Sequence, residues 1–343
     1  MPVNPSAVRP KPVPDRDGFC LVQGLQPLPR GFERAVVALG NFDGLHRGHR
    51  AVIGEAQRLA ASLGLPAGLL SFEPHPRSFF KPDAPLFRLT PAPLKAALAC
   101  AMGLQGLVEL PFNQALAGTS AHDFIEEMLV RQLGIGGIVI GHDFHFGKGR
   151  QGSPEIIAEM GARLGIPVSV VAALKEGEAP VSSSQIRDCL VEGDVAAAAN
   201  LLGYRWLVRG EVVHGDKRGR LLGFPTANMV LGKDCALKHG IYAVRMAVDG
   251  VVHDGVASFG RRPTFDDGAP RLETFVFDFE GDLYGKQVDV EFCGFLRGEA
   301  KFESVEALIV QMDADCARAR IVLSEQGQGL SVLADVCRHS PLY

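Results

Sequence analysis

The sequence predicts an α/β domain built on a doubly wound parallel sheet, followed by a mostly β barrel domain with a C-terminal helix. Three observations predict it. Short apolar runs alternate with amphipathic segments from about residue 35 to 175, β-rich stretches follow from 204, and one long amphipathic run fills 303–323. At 343 residues the chain is long enough for two separate cores.

The first strand is AVVAL (35–39), apolar and partly β-branched, and the same pattern marks 67–72, 106–110, 136–141 and 167–173. Between them lie candidate helices. In 50–64, Val52, Ile53, Ala56, Leu59, Ala60 and Leu63 recur at helical spacing. The others are 91–102, 120–133 and 154–164, the last opened by SPE (153–155), a serine N-cap followed by proline at the first helical position. This alternation predicts helices on both faces of a parallel sheet, with ligands at the carboxyl ends of the strands.

The alanine-rich QIRDCLVEGDVAAAANLLG (185–203) predicts two short helices broken near Gly193. Then come YRWLVRGEVVHG (204–215), GIYAVRMAVDGVVHDGVASFG (240–260) and RLETFVFDFEGDLYGKQVDVEFCGFLR (271–297), with Asp249-Gly250 placed as a two-residue hairpin turn. ESVEALIVQMDADCARARIVL (303–323) predicts the closing helix. The expected division is a flexible, proline-rich leader over 1–20, a front domain over 21–187, a helical linker over 188–203 and a rear domain over 204–343.

Composition narrows the function classes. Apolar content of 47% and charged content of 22% are ordinary for a soluble globular protein. A net charge of −4 speaks against a broad basic face for nucleic acid or membrane while allowing local cationic pockets. The seven cysteines are scattered without a CxxC pair, which predicts reduced thiols and a cytoplasmic protein rather than a disulfide frame. No apolar run approaches the ~18 residues of a membrane span, and the leader has no apolar core of a signal peptide.

The stretch GNFDGLHRGH (40–49) carries the first chemistry. It joins the first strand to the first helix. Helix N-termini carry unpaired N–H groups that favour anions, two imidazoles add to that site, and glycine lets a nucleotide approach the main chain. Zinc ligation lacks a Cys or third His at ligand spacing. The competing nucleotide signatures fail: there is no GxxxxGK[ST] loop, and GKGRQG (147–152) is separated by HDFHF from the strand that should precede it.

Three more stretches stand at predicted strand ends or helix starts. SFEPHP (71–76) stiffens a turn around His75. GHDFHFGKGRQG (141–152) sets Asp143, Phe144 and Phe146 beyond a strand, suited to a flat heterocycle. VSSSQIR (181–187) offers three hydroxyls and Arg187 as a second anion cradle, with plain N-capping as the alternative.

GNFDGLHRGH, GHDFHFG and VSSSQIR together resemble the signature blocks of prokaryotic bifunctional riboflavin kinase/FMN adenylyltransferases (FAD synthetases), within the wider HxGH nucleotidyltransferases. GRLLGFPTANM (219–229), the GRRPTF turn (260–265) and RLETFVFDFEGDLYG (271–285) resemble the riboflavin kinase module. The resemblance spans roughly 20 to 325. Val181 and Ser184 stand where the family often has Ile and Thr, and Asp143 where it often has Asn.

The resemblance implies a nucleotidyltransferase front domain and a riboflavin kinase rear domain, with ATP as substrate and riboflavin, FMN and FAD as substrates or products. ATP phosphorylates riboflavin to FMN, and FMN then attacks the α-phosphorus of a second ATP to give FAD and pyrophosphate. It implies ATP contacts from Gly40, Phe42, Gly44, His46, His49, Ser183, Ser184 and Arg187 in front, and from Gly219, Gly223, Thr226 and Asn228 behind. Thr226 and Asn228 offer hard oxygens for Mg²⁺. Phe72, His75, Asp143, Phe146 and Glu273 are the implied flavin contacts, and His46, His49, Arg187 and Glu273 the implied catalytic set. Glu273 alternates in phase with Phe275, Phe277 and Phe279, which puts a carboxylate on an aromatic face, suited to a general base; an ion pair with Arg271 is the alternative. The expected partners are small molecules, with no nucleic acid, no membrane and room for transient self-association. A rival reading is an HxGH nucleotidyltransferase for another phosphate ester, its β module binding flavin without phosphorylating it.

Overall fold

A computed structural model of the chain describes residues 13–14, 18–176, 179–215, 218–261 and 269–338. Most of the leader, and the GRRPTF turn beyond Arg261, lie outside the described residues.

The front sheet holds β1 (Cys20–Gln23), β2 (Val36–Leu39), β3 (Ala67–Glu73), β4 (Gly106–Pro111), β5 (Gly137–Gly141) and β6 (Val168–Val171) in the order β1-β4-β3-β2-β5-β6, all parallel. Val13–Pro14 adds antiparallel beside β1. From β2 the chain winds one way through β3 and β4, then returns to the other side of β2 for β5 and β6. The switch point therefore lies between β2 and β5, the crevice where such sheets bind ligands. β1 is a strand that sequence reading left in an unassigned stretch.

Both faces of this sheet are covered. Val36, Ala38, Leu69 and Leu107 pack with Ile53 and Ala56 of α1 (Arg47–Leu63) and Leu94, Ala97 and Leu98 of α2 (Ala92–Ala101). The alternate residues Val37, Leu39, Leu70 and Val108 pack with Phe124, Ile125 and Leu129 of α3 (Phe124–Leu133) and Ile157 and Met160 of α4 (Pro154–Leu164). Two-sided burial explains the unbroken apolar runs that marked these strands. Two helices follow, α5 (Ser183–Glu192) and α6 (Val195–Leu202), separated by Gly193 in the left-handed region at φ 80°.

The rear sheet contains β7 (Leu207–Glu211), β8 (Thr226–Val230), β9 (Gly240–Val248), β10 (Val251–Arg261), β11 (Pro270–Val276) and β12 (Gln287–Arg297), antiparallel in the order β7-β12-β9-β10-β11-β8. It curls into a half-barrel whose ends meet through a single bridge, Val213 with Asn228. Asp249 and Gly250 form the β9–β10 turn with φ of 49° and 79°, the pair of positive values a two-residue hairpin needs. The long helix α7 (Val305–Glu325) packs outside the barrel, with Ala319 and Leu323 against Ala243, Val256 and Phe277. A short last helix, α8 (Leu333–Arg338), lies beyond the predicted elements and returns to pack on α2.

The two domains share one continuous core. Tyr204 donates to the Gly44 carbonyl at 2.7 Å and the Trp206 indole to Leu89 O at 3.0 Å. The front turn is thus braced from the start of the rear domain.

Candidate active sites

The front site starts from the turn after β2. His46 is the N-cap of α1, and its Nδ1 accepts the His49 N–H at 3.3 Å. With Nδ1 accepting, the His46 proton sits on Nε2. The two imidazoles stack with centroids 3.6 Å apart and planes 17° off parallel. Gly48 makes this possible: a Cβ there would lie 3.1 Å from His46 Cε1 and 3.2 Å from its Nδ1. Gly48→Ala is therefore expected to displace the His46 ring and slow FAD formation by ~10-fold or more, since small misplacements are costly in a positioned site. Comparing FAD and FMN formation in that variant checks it; equal losses in both would place the damage elsewhere.

Burial pulls the His46 pKa down to about 4, with Arg187 adding to the effect and the Asp43 and Asp143 carboxylates opposing it. His49 is held well below the ordinary value, by burial first, then by His46 and Lys95. Both rings are therefore neutral at neutral pH. As neutral rings they offer N–H groups without carrying a positive charge.

Asp43, inside the motif yet given no role by sequence reading, is the hub of the turn. Its carboxylate accepts from Leu89 N at 3.2 Å, Thr90 N at 3.0 Å and the Arg187 guanidinium at 2.6 Å. Burial works against this charge, but the Thr90 N–H, Arg88, Arg187 and the Leu89 N–H outweigh it and hold the pKa below the usual carboxylate value. Arg187 also donates to Phe87 O at 2.7 Å, so its guanidinium faces protein partners rather than an open phosphate cradle. Gly44 sits at φ 92° and its N–H reaches Thr90 Oγ1 at 2.9 Å.

The hydroxyls of 182–184 divide their work. Ser182 is the N-cap of α5 in a capping box with Gln185, Ser183 donates to Asp43 O at 2.7 Å, and Ser184 is exposed. His75 caps the short helix Pro76–Phe80, and burial pulls its pKa down to about 4.

Three predicted ligand aromatics are core residues instead. Phe42 is buried with its ring edge-on to His49 at 5.1 Å, which steadies that imidazole. A Cβ on Gly40 would press on the Phe42 ring at 3.2 Å, so Gly40 is needed for that packing. Phe72 packs against Phe112 and Phe124, and Phe146 against Phe124 and Phe144. The accessible aromatic surface belongs to residues that sequence reading passed over: Phe79, Phe80 and Phe112 form a mutual edge-on cluster at the ends of β3 and β4, with Phe80 63% exposed. Asp143 is exposed at the end of β5, close enough for its charge to act on His46.

The rear site rests on strand register. Asn228 of β8 stands directly opposite Glu273 of β11, and Thr226 opposite Phe275. Such pairs share a face with Cβ atoms about 5 Å apart. In β11 the residues Leu272, Thr274 and Val276 point into the barrel, so Glu273 and Phe275 share the outer face. On that side a cavity of about 550 Å³ opens between the barrel and α7, lined by Phe224, Phe275, Phe277, Asp313, Cys316 and Arg320 among others. Arg320 stacks over Phe277 at 4.2 Å and pairs with Asp278. Lining from α7 was invisible in the sequence, because nothing local says that this helix faces β11.

Asn228 is buried; its amide nitrogen donates to Thr226 O and Oγ1 at 3.2 and 3.4 Å, while its Oδ1 is an orphaned acceptor. The glycine loop is more closed than predicted. Leu222 and Phe224 N–H both donate to Gly219 O, and Gly223 N–H to Arg220 O. Gly219 is needed because a Cβ would meet Phe224 O, and Gly223, at φ 88°, borders the cavity. The Leu222, Gly223 and Phe224 N–H groups are thus engaged with the loop's own carbonyls.

Comparison with known proteins decides the family. The FAD synthetase family matches residues 29–185 and the riboflavin kinase family residues 202–323. A bifunctional riboflavin kinase/FMN adenylyltransferase of Pseudomonas fluorescens is 40% identical over 88% of this chain and 96% of its own. The chain belongs to the bifunctional riboflavin kinase/FMN adenylyltransferase family. A relative of the same description from Listeria monocytogenes is 37% identical over 82% of this chain and 90% of its own. A solved structure from Streptococcus pneumoniae, described as a macrolide-efflux protein, matches with TM-score 0.75 and 30% identity over 87% of this chain and 99% of that one. The efflux in that name is said of that protein alone, and no helix among the described residues here is long and apolar enough to cross a membrane. As a riboflavin kinase/FMN adenylyltransferase, the chain uses ATP to convert riboflavin to FMN and then FMN to FAD.

Proposed function

We propose that the two reactions run at two separate sites, adenylyl transfer at the His46–His49 turn and phosphorylation at the Asn228–Glu273 ladder. The observation that carries this is the placement of the turn at the sheet's switch point and of the ladder in the other domain. FMN brings an already ionised phosphate as nucleophile, so the front site needs donors and positioning more than a base. His46 and His49 offer neutral N–H groups to the ATP phosphates. Arg187 joins them only by parting from Asp43, with Ser184 exposed beside it. The Phe80–Phe112 cluster supplies a platform for the flavin ring, with His75 and Asp143 at its border. The matched segments support a front unit over 21–187, a helical linker over 188–203 and a rear unit over 204–343, with 1–20 as leader.

At the rear site the orphaned Asn228 Oδ1 and the Thr226 hydroxyl fit a hard cation. When bound, Mg²⁺ would neutralise charge on the ATP phosphates. The cavity beside Phe275 takes the flavin, and Glu273 receives the proton of the ribityl hydroxyl. Asn228→Ala is expected to raise the Mg²⁺ needed for half-maximal FMN formation by at least ~10-fold while FAD formation from supplied FMN keeps its Mg²⁺ dependence. An unchanged Mg²⁺ titration of the kinase reaction removes Asn228 from the metal site.

The partners of this reading are riboflavin, FMN and ATP rather than nucleic acid or membrane. Six cysteines among the described residues are free thiols, which supports work in the cytosol. The test of the whole reading is incubation with riboflavin and Mg·ATP followed by chromatography over time. FMN rising first and FAD later is the expected order; FMN alone would leave the front site without its assigned acceptor.

A further inference from the structure

Lys95 is a buried charge beside the front site to which the reaction as assigned gives no role. Lys95 lies on α2 at 0% exposure, among Leu94, Ala96, Ala97 and Leu98. Its Nζ donates to Ser71 Oγ at 2.6 Å and to Asn41 O at 3.1 Å, and Ser71 Oγ itself donates to Asn41 O at 3.1 Å. The three groups close a triangle across the carboxyl ends of β2 and β3.

A buried ammonium is costly unless its surroundings repay it, and an apolar residue would fill this helix face with no such cost. What the ammonium holds is informative. Asn41 is the second residue beyond β2, between Gly40 and Phe42, whose positive φ of 50° turns the chain into the HxGH segment and whose ring braces His49. Fixing the Asn41 carbonyl fixes where that turn starts. The His49 Nδ1 is buried without a hydrogen-bond partner, and the Lys95 charge acts on that imidazole. A cation there disfavours a second proton on the ring.

We propose that Lys95 is a positioning residue for adenylyl transfer, its ammonium clamping the Asn41 carbonyl to Ser71 so that the His46–His49 pair is presented neutral and in register to ATP. It touches no substrate. Its action goes through the main chain of the turn and through the charge state of His49.

The charges around Lys95 set its pH range. Burial pulls its pKa down to about 8, Arg88 adds to that, and the Glu73, Asp43 and Glu109 carboxylates pull the other way. The group is charged below about 8 and loses its proton above. The clamp and its effect on His49 therefore weaken as pH rises through that value, giving FAD formation an alkaline limb that depends on Lys95.

The test uses the full chain, with FMN formation from riboflavin as the internal measure of folding. Lys95→Met is expected to lower kcat/KM for FAD formation from supplied FMN and ATP by ~10²-fold, the scale of a misplaced catalytic group. It should do so mainly through kcat, abolish the alkaline limb, and leave FMN formation within twofold of wild type (about 2-fold is the reproducibility expected where no group in that site has changed). ¹⁵N signals of the histidine rings, with His49→Ala for assignment, should show the His49 titration moved upward in Lys95→Met. If Lys95→Met loses both activities, Ser71→Ala carries the test, since it removes only the triangle's hydroxyl. It should slow FAD formation in the same direction and add little to Lys95→Met. A wild-type FAD rate and alkaline limb in either variant overturns the proposal. The inference rests on the front-site assignment, and the two fail differently: full activity in a His46, His49 double variant removes the site, whereas full activity in Lys95→Met removes only the clamp.

Discussion

The double variant His46→Ala, His49→Ala is expected to lose FAD formation by at least ~10³-fold while FMN formation from riboflavin and ATP continues at its wild-type rate. Removing one preorganised donor at a developing charge typically costs 10²–10³ in rate, and here the two rings are one unit. They stack at 3.6 Å, and the double variant removes both that stack and the imidazole that accepts the His49 main-chain N–H. The residues proposed for the kinase reaction lie on β8 and β11 of the other domain, so the change should not reach them. The pH behaviour follows with a definite sign. His46 has a pKa of about 4 in the folded chain against the ordinary 6.5, because burial favours its neutral form. Between those values the unfolded chain binds the extra proton and the folded chain does not. The contribution of neutral His46 to stability is therefore complete above 6.5 and is lost as pH falls toward 4. FAD formation should accordingly show no histidine limb near 6.5, and titration of the histidine ring ¹⁵N signals from pH 5 to 8 reads this apart from the ionisation of the FMN phosphate near about 6. Loss of both activities in the double variant would argue against separate sites.

What was legible in the sequence was whatever local pattern alone decides. The central strands β2 to β5 of the front sheet are buried on both faces, so they read as apolar runs, and Gly193 and Asp249-Gly250 sit at positive φ where only such residues settle easily. Pairing across the fold was not legible. That Asp43 would take Arg187 away from the phosphate side depends on residues 144 apart in the chain. Lys95 reads as one polar residue in an alanine-rich helix, and its meaning appears only when Ser71 and Asn41 come to meet it. The packing of Phe72 and Phe146 against other aromatic rings was hidden for a related reason. An aromatic residue near a strand end can face the ligand or the opposite sheet face; Phe72 is in phase with Leu70 on β3, whereas Phe146 lies beyond β5 and packs on Phe124 and Phe144.

Parity also sets the face on which Glu273 lies. The in-phase alternation with Phe275 holds through β11, and the barrel interior takes the opposite set, Leu272, Thr274 and Val276. The carboxylate is thereby on the side of α7, level with Asn228 across the ladder and next to the cavity that Phe275 lines. No local rule predicts that α7 covers this side, yet its residues Asp313, Cys316 and Arg320 form one wall of the cavity.

Glu273→Gln should therefore keep riboflavin binding and lower FMN formation by ~10²-fold or more, the usual size of a lost general base. Glutamine preserves the shape and one acceptor oxygen, so packing against β8 and the cavity wall should survive. It removes the charge that draws the proton from the ribityl hydroxyl as the γ-phosphoryl group moves. Flavin fluorescence on titration measures the binding, and initial rates at saturating Mg·ATP measure the transfer. FAD formation from supplied FMN gives the control in the same sample, because no front-site residue is altered. A fall in riboflavin affinity with little change in turnover would reassign Glu273 to holding the flavin. Unchanged turnover would remove the base assignment and leave the metal and the positioning of the two substrates to account for phosphoryl transfer.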